Sequence, residues 1–132
     1  MNAAARPYLA LGALLLSAAT VLGAWAAHGL ERFLDTDAIA TFSTGVEYHF
    51  YHALGIVLIA ALIDRAPQVA LLRYSAWLLM AGIVMFSGSL YVLAFGTARF
   101  LGPVTPLGGV CFIAGWLCLA AAAFRRTADN RS

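Results

Sequence analysis

Four runs of apolar residues separated by short polar stretches organise the chain: residues 8–27, 44–63, 74–95 and 106–124. Each reaches the roughly 17 to 25 residues a helix needs to cross a bilayer. The pattern therefore predicts an all-α integral membrane four-helix bundle, with residues 1–132 forming one four-span domain. In the first run Ala19, Gly23 and Ala27 recur every four residues, a stripe of small side chains along which another helix can approach closely. Thr105 followed by Pro106 reads as the N-cap and first-turn proline of the fourth span.

The link between the first two runs has its own pattern. Asp35 or Thr36 caps a helix, after which Ile39, Phe42 and Val46 recur at helical spacing. This predicts a short amphipathic outer-side helix between helices 1 and 2, lying on the membrane surface before the chain turns in. The alternative is that these apolar residues cap the bundle.

Composition sharpens this picture. With 63% hydrophobic and 11% charged residues, the chain lies outside the range of soluble domains. Its eight basic residues are all arginine. Four spans place both termini and the loop between spans two and three on one side, which carries Arg6, Arg65, Arg73, Arg125, Arg126 and Arg131, whereas the other side carries Arg32 and Arg99. The positive-inside rule then predicts a multi-pass protein with both termini cytoplasmic. Ala24-Trp25-Ala26 has the small-x-small form of a signal-peptidase site. The apolar run before it is longer than a signal core, and Trp25 suits an interfacial anchor, so the first span is expected to be retained. Cys111 and Cys118 lie seven positions apart on one helix, roughly 10 Å, too far for a disulfide.

Ionisable groups enter the apolar pattern at one place, Glu47-Tyr48-His49 followed by His52. Counting back ~20 residues from Asp64 puts the outer boundary near Thr44, so the two histidines lie roughly 7 to 12 Å below the polar surface. His28 ends the first span on the same side, Ser87, Ser89 and Tyr91 lie toward the outer end of the third, and Thr105 opens the fourth there. The candidate polar cluster is thus His28, Glu47, Tyr48, His49, His52, Ser87, Tyr91 and Thr105. On a helical wheel His49 and His52 share a face with Gly45, Tyr48 and Ile56, while Glu47 points roughly 140° to 160° away. A His-His-Glu ligand set on one helix is therefore excluded. His28 with His49 and His52 offers a three-histidine set for zinc or copper, and a histidine pair from two helices offers axial ligands for haem. A quinone or another small ligand is a further reading. The bland reading, which takes precedence, is that the imidazoles bond to serine, tyrosine and backbone groups of neighbouring helices and fix their packing, without a cofactor. Glu47 is expected to pair with Arg32 or Arg99, and Ser87 and Tyr91, four apart, to bond the histidines across the bundle.

Gly23-Ala24-Trp25-Ala26-Ala27-His28-Gly29-Leu30, the stretch Phe42 to Leu54, Phe86-Ser87-Gly88-Ser89-Leu90-Tyr91, and Gly102-Pro103-Val104-Thr105-Pro106-Leu107-Gly108-Gly109 with Gly115-Trp116 occur in that order. Together they resemble the domain-of-unknown-function 423 family, small bacterial inner-membrane proteins similar to a eukaryotic transmembrane-protein-256-like group. Ala26 stands where that family more often has glycine, and Trp25 where it often has phenylalanine. The resemblance implies four spans with an uncleaved first helix in the bacterial cytoplasmic membrane. It also implies that His28, His52, Ser87, Tyr91 and Thr105 belong to the family pattern.

Small-residue stripes are plentiful, and no phosphate-cradling glycine loop, nucleophile elbow or basic patch interleaved with aromatics is present, so nucleic acid is not an expected partner. The expected role is a non-enzymatic accessory, assembly or interaction subunit, in contact with lipid and with other membrane subunits or copies of itself. The alternative is a cofactor, metal or quinone binder using the outer-half histidines. A small transporter ranks below both, because the sequence lacks a charge near the midplane and broken helices.

Overall fold

A computed structural model of the chain describes residues 1–129, with side chains through Phe124. Among these residues there is no strand, and four helical segments are long and apolar enough to cross a membrane. They are α1 (Arg6–His28), α2 (Thr36–Arg65), α3 (Ala70–Ala94) and α4 (Val104–Asp129). Short 3₁₀ turns at Leu30–Arg32 and Arg99–Leu101 lie in the α1–α2 and α3–α4 connections. The side chains of Arg125 and Arg126 and the polar tail beyond residue 129, with Arg131, lie outside the described residues.

The expected surface helix after Asp35 is not a separate element. The Asp35 side chain accepts from the Ala38 amide at 2.9 Å and caps α2, which then continues unbroken for 30 residues. No proline interrupts residues 36–65. The two glycines inside that stretch, Gly45 and Gly55, are buried where a neighbouring helix comes close; a Cβ on Gly45 would sit 2.9 Å from the Tyr91 ring. Phe42 is buried with Leu30 and Ala94, and Leu22, Ile39 and Val46 pack against them, so the apolar stripe caps the end of the bundle that holds the α1–α2 connection. At ~1.5 Å per residue α2 is about 45 Å long, more than the ~30 Å hydrocarbon core requires.

The main core lies deeper, where Ile56, Ile59 and Ile63 of α2 meet Leu72, Ala76, Leu79 and Ile83 of α3 and Phe112 of α4. Buried Ser75 ties α3 to α4 by donating to the Gly115 carbonyl at 2.7 Å. At the opposite end from the Phe42 cap, Asn2 joins two helix ends. Its Oδ1 accepts from the Ala5 amide at 2.9 Å before α1, and its Nδ2 donates to the Ile63 and Asp64 carbonyls at 3.3 and 2.9 Å. Its backbone amide donates to the Asp64 carboxylate. These are groups that helix termini leave without intrahelical partners. They place the N terminus beside the α2–α3 connection.

The third helix is not uniform. It is α-helical over Ala70–Gly82, widens into a π-helical turn at Ile83–Ser87 and resumes over Gly88–Ala94. The π turn faces Gly108 of α4, where an added Cβ would fall on the Phe86 backbone. Only a residue without a side chain lets α4 approach that closely.

Candidate functional site

The candidate cluster divides into four arrangements. In the first, His49 of α2 places Nδ1 3.0 Å from the Tyr91 hydroxyl of α3, with the donor set by the imidazole tautomer. The residue is 5% exposed, its Nε2 has no hydrogen-bond partner, and the Leu15 backbone of α1 lies beside the imidazole. His49 therefore lies where three helices meet. Tyr91 is held in turn by the Phe42 ring, at 4.7 Å between centroids.

In the second, His52 Nδ1 lies 2.6 Å from the carbonyl of Tyr48, one turn earlier. A carbonyl only accepts, so Nδ1 carries the proton and Nε2 is the free acceptor. The His52 ring stacks on Phe112 of α4 at 3.4 Å and 10°, and the Tyr48 ring packs against Phe86 of α3 at 4.7 Å. The third arrangement joins Ser89 of α3 to Thr105 of α4, their hydroxyl oxygens 2.6 Å apart; Ser89 also donates to the Phe86 carbonyl at 2.9 Å. The fourth stands apart. Glu47 points away from the bundle, as its wheel position predicts, and accepts from the Tyr51 hydroxyl at 3.2 Å on its own helix.

Two expectations fail on this geometry. The described residues contain no group of three His, Cys, Asp or Glu side chains placed to hold a metal. His28 sits exposed at the end of α1, and the Nδ1 atoms of His49 and His52 are directed at Tyr91 and the Tyr48 carbonyl. The expected pairing of Glu47 with Arg32 or Arg99 is likewise replaced by the contact with Tyr51, and those arginines make no ion pair among the described residues.

Ser87 was expected to bond a histidine, yet its hydroxyl is fully buried with no partner, as is His49 Nε2. Elsewhere Ser17, Thr20, Thr41 and Thr44 donate to the carbonyl four residues back. The corresponding carbonyl for Ser87, that of Ile83, accepts the Gly88 amide across the π turn and no bond from the serine. The residues absent from the expected cluster are Ser89, Phe112 and Tyr51. Only Ser89 carried a signal in the sequence, as a polar residue near the outer end of the third span.

On the flank of α2 turned away from α3 and α4, the halves of α1 and α2 nearest their connection line an open groove of about 880 Å³. Its α1 wall is small, with Ala19, Gly23 and Ala27, whereas its α2 wall mixes Ala40 and Ser43 with the larger Phe50 and Tyr51 and carries Glu47. The small-residue stripe of α1 thus serves two surfaces. Ala19 is buried and Gly23 lies against Val46 of α2, while Ala27 opens onto the groove.

Residues 22–109 match a family model described as a protein of unknown function, DUF423. The UPF0382 membrane protein YwdK of Bacillus subtilis is 43% identical over 118 residues, covering 89% of this chain and 96% of its own. A UPF0382 membrane protein of Haemophilus influenzae is 41% identical over 118 residues, covering 89% and 94%. The UPF0382 inner membrane protein YgdD of Escherichia coli is 38% identical over 104 residues, covering 79% of each chain. No solved structure matches the chain. The chain is an integral membrane protein and belongs to the DUF423 family.

Proposed function

We propose that the chain is a non-enzymatic interaction subunit of the bacterial cytoplasmic membrane, with both termini in the cytoplasm. The orientation rests on Arg6, Arg65 and Arg73 at the end that holds the N terminus and the α2–α3 connection, against Arg32 and Arg99 at the other. The observation that carries the role is the groove between α1 and α2, with Glu47 on its wall. A carboxylate in a membrane span normally faces the bundle interior or a partner group. Here it faces outward from the folded chain, across a wall of side chains small enough to seat another helix. The inner polar groups, His49, His52, Ser75 and Ser89, act as struts between helices or against their own turn.

Extraction in mild detergent, native separation and mass spectrometry test the role: co-migration with another membrane protein or with further copies is expected, and migration solely as a lone monomer overturns it. Thiol labelling of a cysteine placed in the α2–α3 connection, in intact cells and in inverted vesicles, tests the orientation. Protection in intact cells is the expected result.

A second reading, a binder of a small organic ligand at the histidines, is favoured by one observation. His49 Nε2 and Ser87 Oγ are both buried without partners, and the antiparallel register that sets Gly45 against Tyr91 puts them at similar depth. An optical spectrum of the purified protein decides between the readings. A Soret band or a quinone spectrum favours the binder.

A further inference from the structure

We propose that the groove between α1 and α2 receives the α3–α4 loop of a second copy of this chain, with Arg99 of the neighbour meeting Glu47 and Phe100 of the neighbour seated among the small side chains. This inference rests on the interaction reading and names its partner. The loop is built to project. Ala98 is the one non-glycine residue among those described with a left-handed backbone, φ 54°, and it turns the chain directly into the 3₁₀ turn Arg99–Leu101. Phe100 emerges from that turn 78% exposed, and Arg99 beside it is exposed with no partner in its own chain.

Three features make knob and groove complementary. Their charges are opposite, and each lacks a counter-ion within the chain: Glu47 has only the neutral Tyr51 hydroxyl. Arginine is the donor best suited to a carboxylate, because its planar fork bonds both oxygens. Their heights can be spanned by the arginine side chain, since Ala94 at the end of α3 packs level with Phe42, Glu47 lies about 7.5 Å deeper along α2 at ~1.5 Å per residue, and copies in one membrane share one orientation. Their positions exclude self-filling. Ser43 and Glu47 lie roughly 120° to 160° around α2 from the line of Gly45 and His49 that meets α3, so the loop stands on the other flank of the same chain. A knob on one flank and a socket on the other make a heterologous contact, which closes into a ring when the rotation permits. Phe100 needs the shallow, small-walled part of the groove near Ala27 and Ala40, leaving the arginine to reach the carboxylate deeper in.

The test uses the full chain in lipid nanodiscs or liposomes, with Cys111→Ala and Cys118→Ala as background. Copies carrying only Phe100→Cys, mixed with copies carrying only Ser43→Cys, are expected to form an intermolecular disulfide, while either population alone forms little. Subunit counting is expected to show at least a tenfold loss of association in Glu47→Gln and in Arg99→Gln. The exchange pair Glu47→Arg with Arg99→Glu restores it, and Arg32→Gln leaves it unchanged. Thermal melts verify that the glutamine variants are folded. The proposal is overturned if the mixed disulfide does not form between folded copies, if both glutamine variants associate normally, or if Arg32→Gln dissociates the assembly in place of Arg99→Gln. Loss of a different co-purifying membrane protein, or of bound lipid, in Glu47→Gln with self-association unchanged also overturns it, while the interaction role stands. Monomers throughout with nothing co-purifying overturn both.

Discussion

Tyr91 and His49 share a hydrogen bond of 3.0 Å across the α2–α3 interface, one turn beyond the π-helical widening of α3. Since His49 Nε2 has no partner, this bond is the only one that the buried ring makes. Tyr91→Phe keeps the ring packing against Phe42 but removes the hydroxyl, leaving both imidazole nitrogens without a partner. A cost of about 1 to 2 kcal/mol is expected, between the ~0.6 kcal/mol average for such bonds in membranes and the 1 to 3 kcal/mol of stranding a buried polar group. Reversible unfolding in mixed micelles measures it, and an unchanged stability would show that the bond contributes nothing.

Gly108 and Gly109 are neighbours with opposite expectations. A Cβ at Gly108 falls on the Phe86 backbone, whereas one at Gly109 meets its nearest heavy atom at 3.9 Å. Gly108→Ala forces α4 off the π turn and is expected to cost about 1 to 3 kcal/mol, in line with other overpacked sites. Gly109→Ala is expected to be close to neutral. Paired thermal melts compare them, and equal effects would contradict the close approach of α4 to the π turn.

Asn2→Ala removes the side-chain acceptor before α1 and both side-chain donors to the end of α2. Loss of these hydrogen bonds is expected to cost about 0.5 to 1.5 kcal/mol. Hydrogen exchange locates the effect: amides in the first turn of α1 should exchange faster, while those around Ile56 and Leu79 keep their protection.

Ser89 and Thr105 suit a double-mutant cycle, because Ser89 retains the Phe86 carbonyl when Thr105→Val removes its other partner. The coupling between Ser89→Ala and Thr105→Val is expected to be about 0.6 kcal/mol and no more than ~1.7 kcal/mol. A coupling of zero would mean that the 2.6 Å contact holds no energy between α3 and α4.

The four spans were legible because each is a long apolar run closed by charge, proline or glycine, and Asp35 was legible as a cap because its carboxylate acts on an amide three residues away. Glu47 could be turned away from the histidines by helical geometry alone. What the sequence could not supply was every relationship set by a distant neighbour. The Phe42 stripe reads the same whether it meets lipid or the Leu30–Ala94 cap, and only tertiary packing decides. The stack of His52 on Phe112 joins residues sixty positions apart with no spacing rule to connect them. The unpartnered Ser87 hydroxyl is set by which groups the neighbouring helices bring to it, and the π turn of residues 83–87, Ile-Val-Met-Phe-Ser, carries no signature in the sequence.

That wide turn acts as a phase adjuster for the outer third of α3. Wound as an ordinary α-helix, the same residues would turn every position from Gly88 outward by about 100°, and Tyr91 and Ser89 would leave His49 and Thr105 together. A single surplus residue therefore sets the timing of two contacts on different faces, so a one-residue deletion there should leave the outer segment in phase, whereas a one-residue insertion should part both contacts at once.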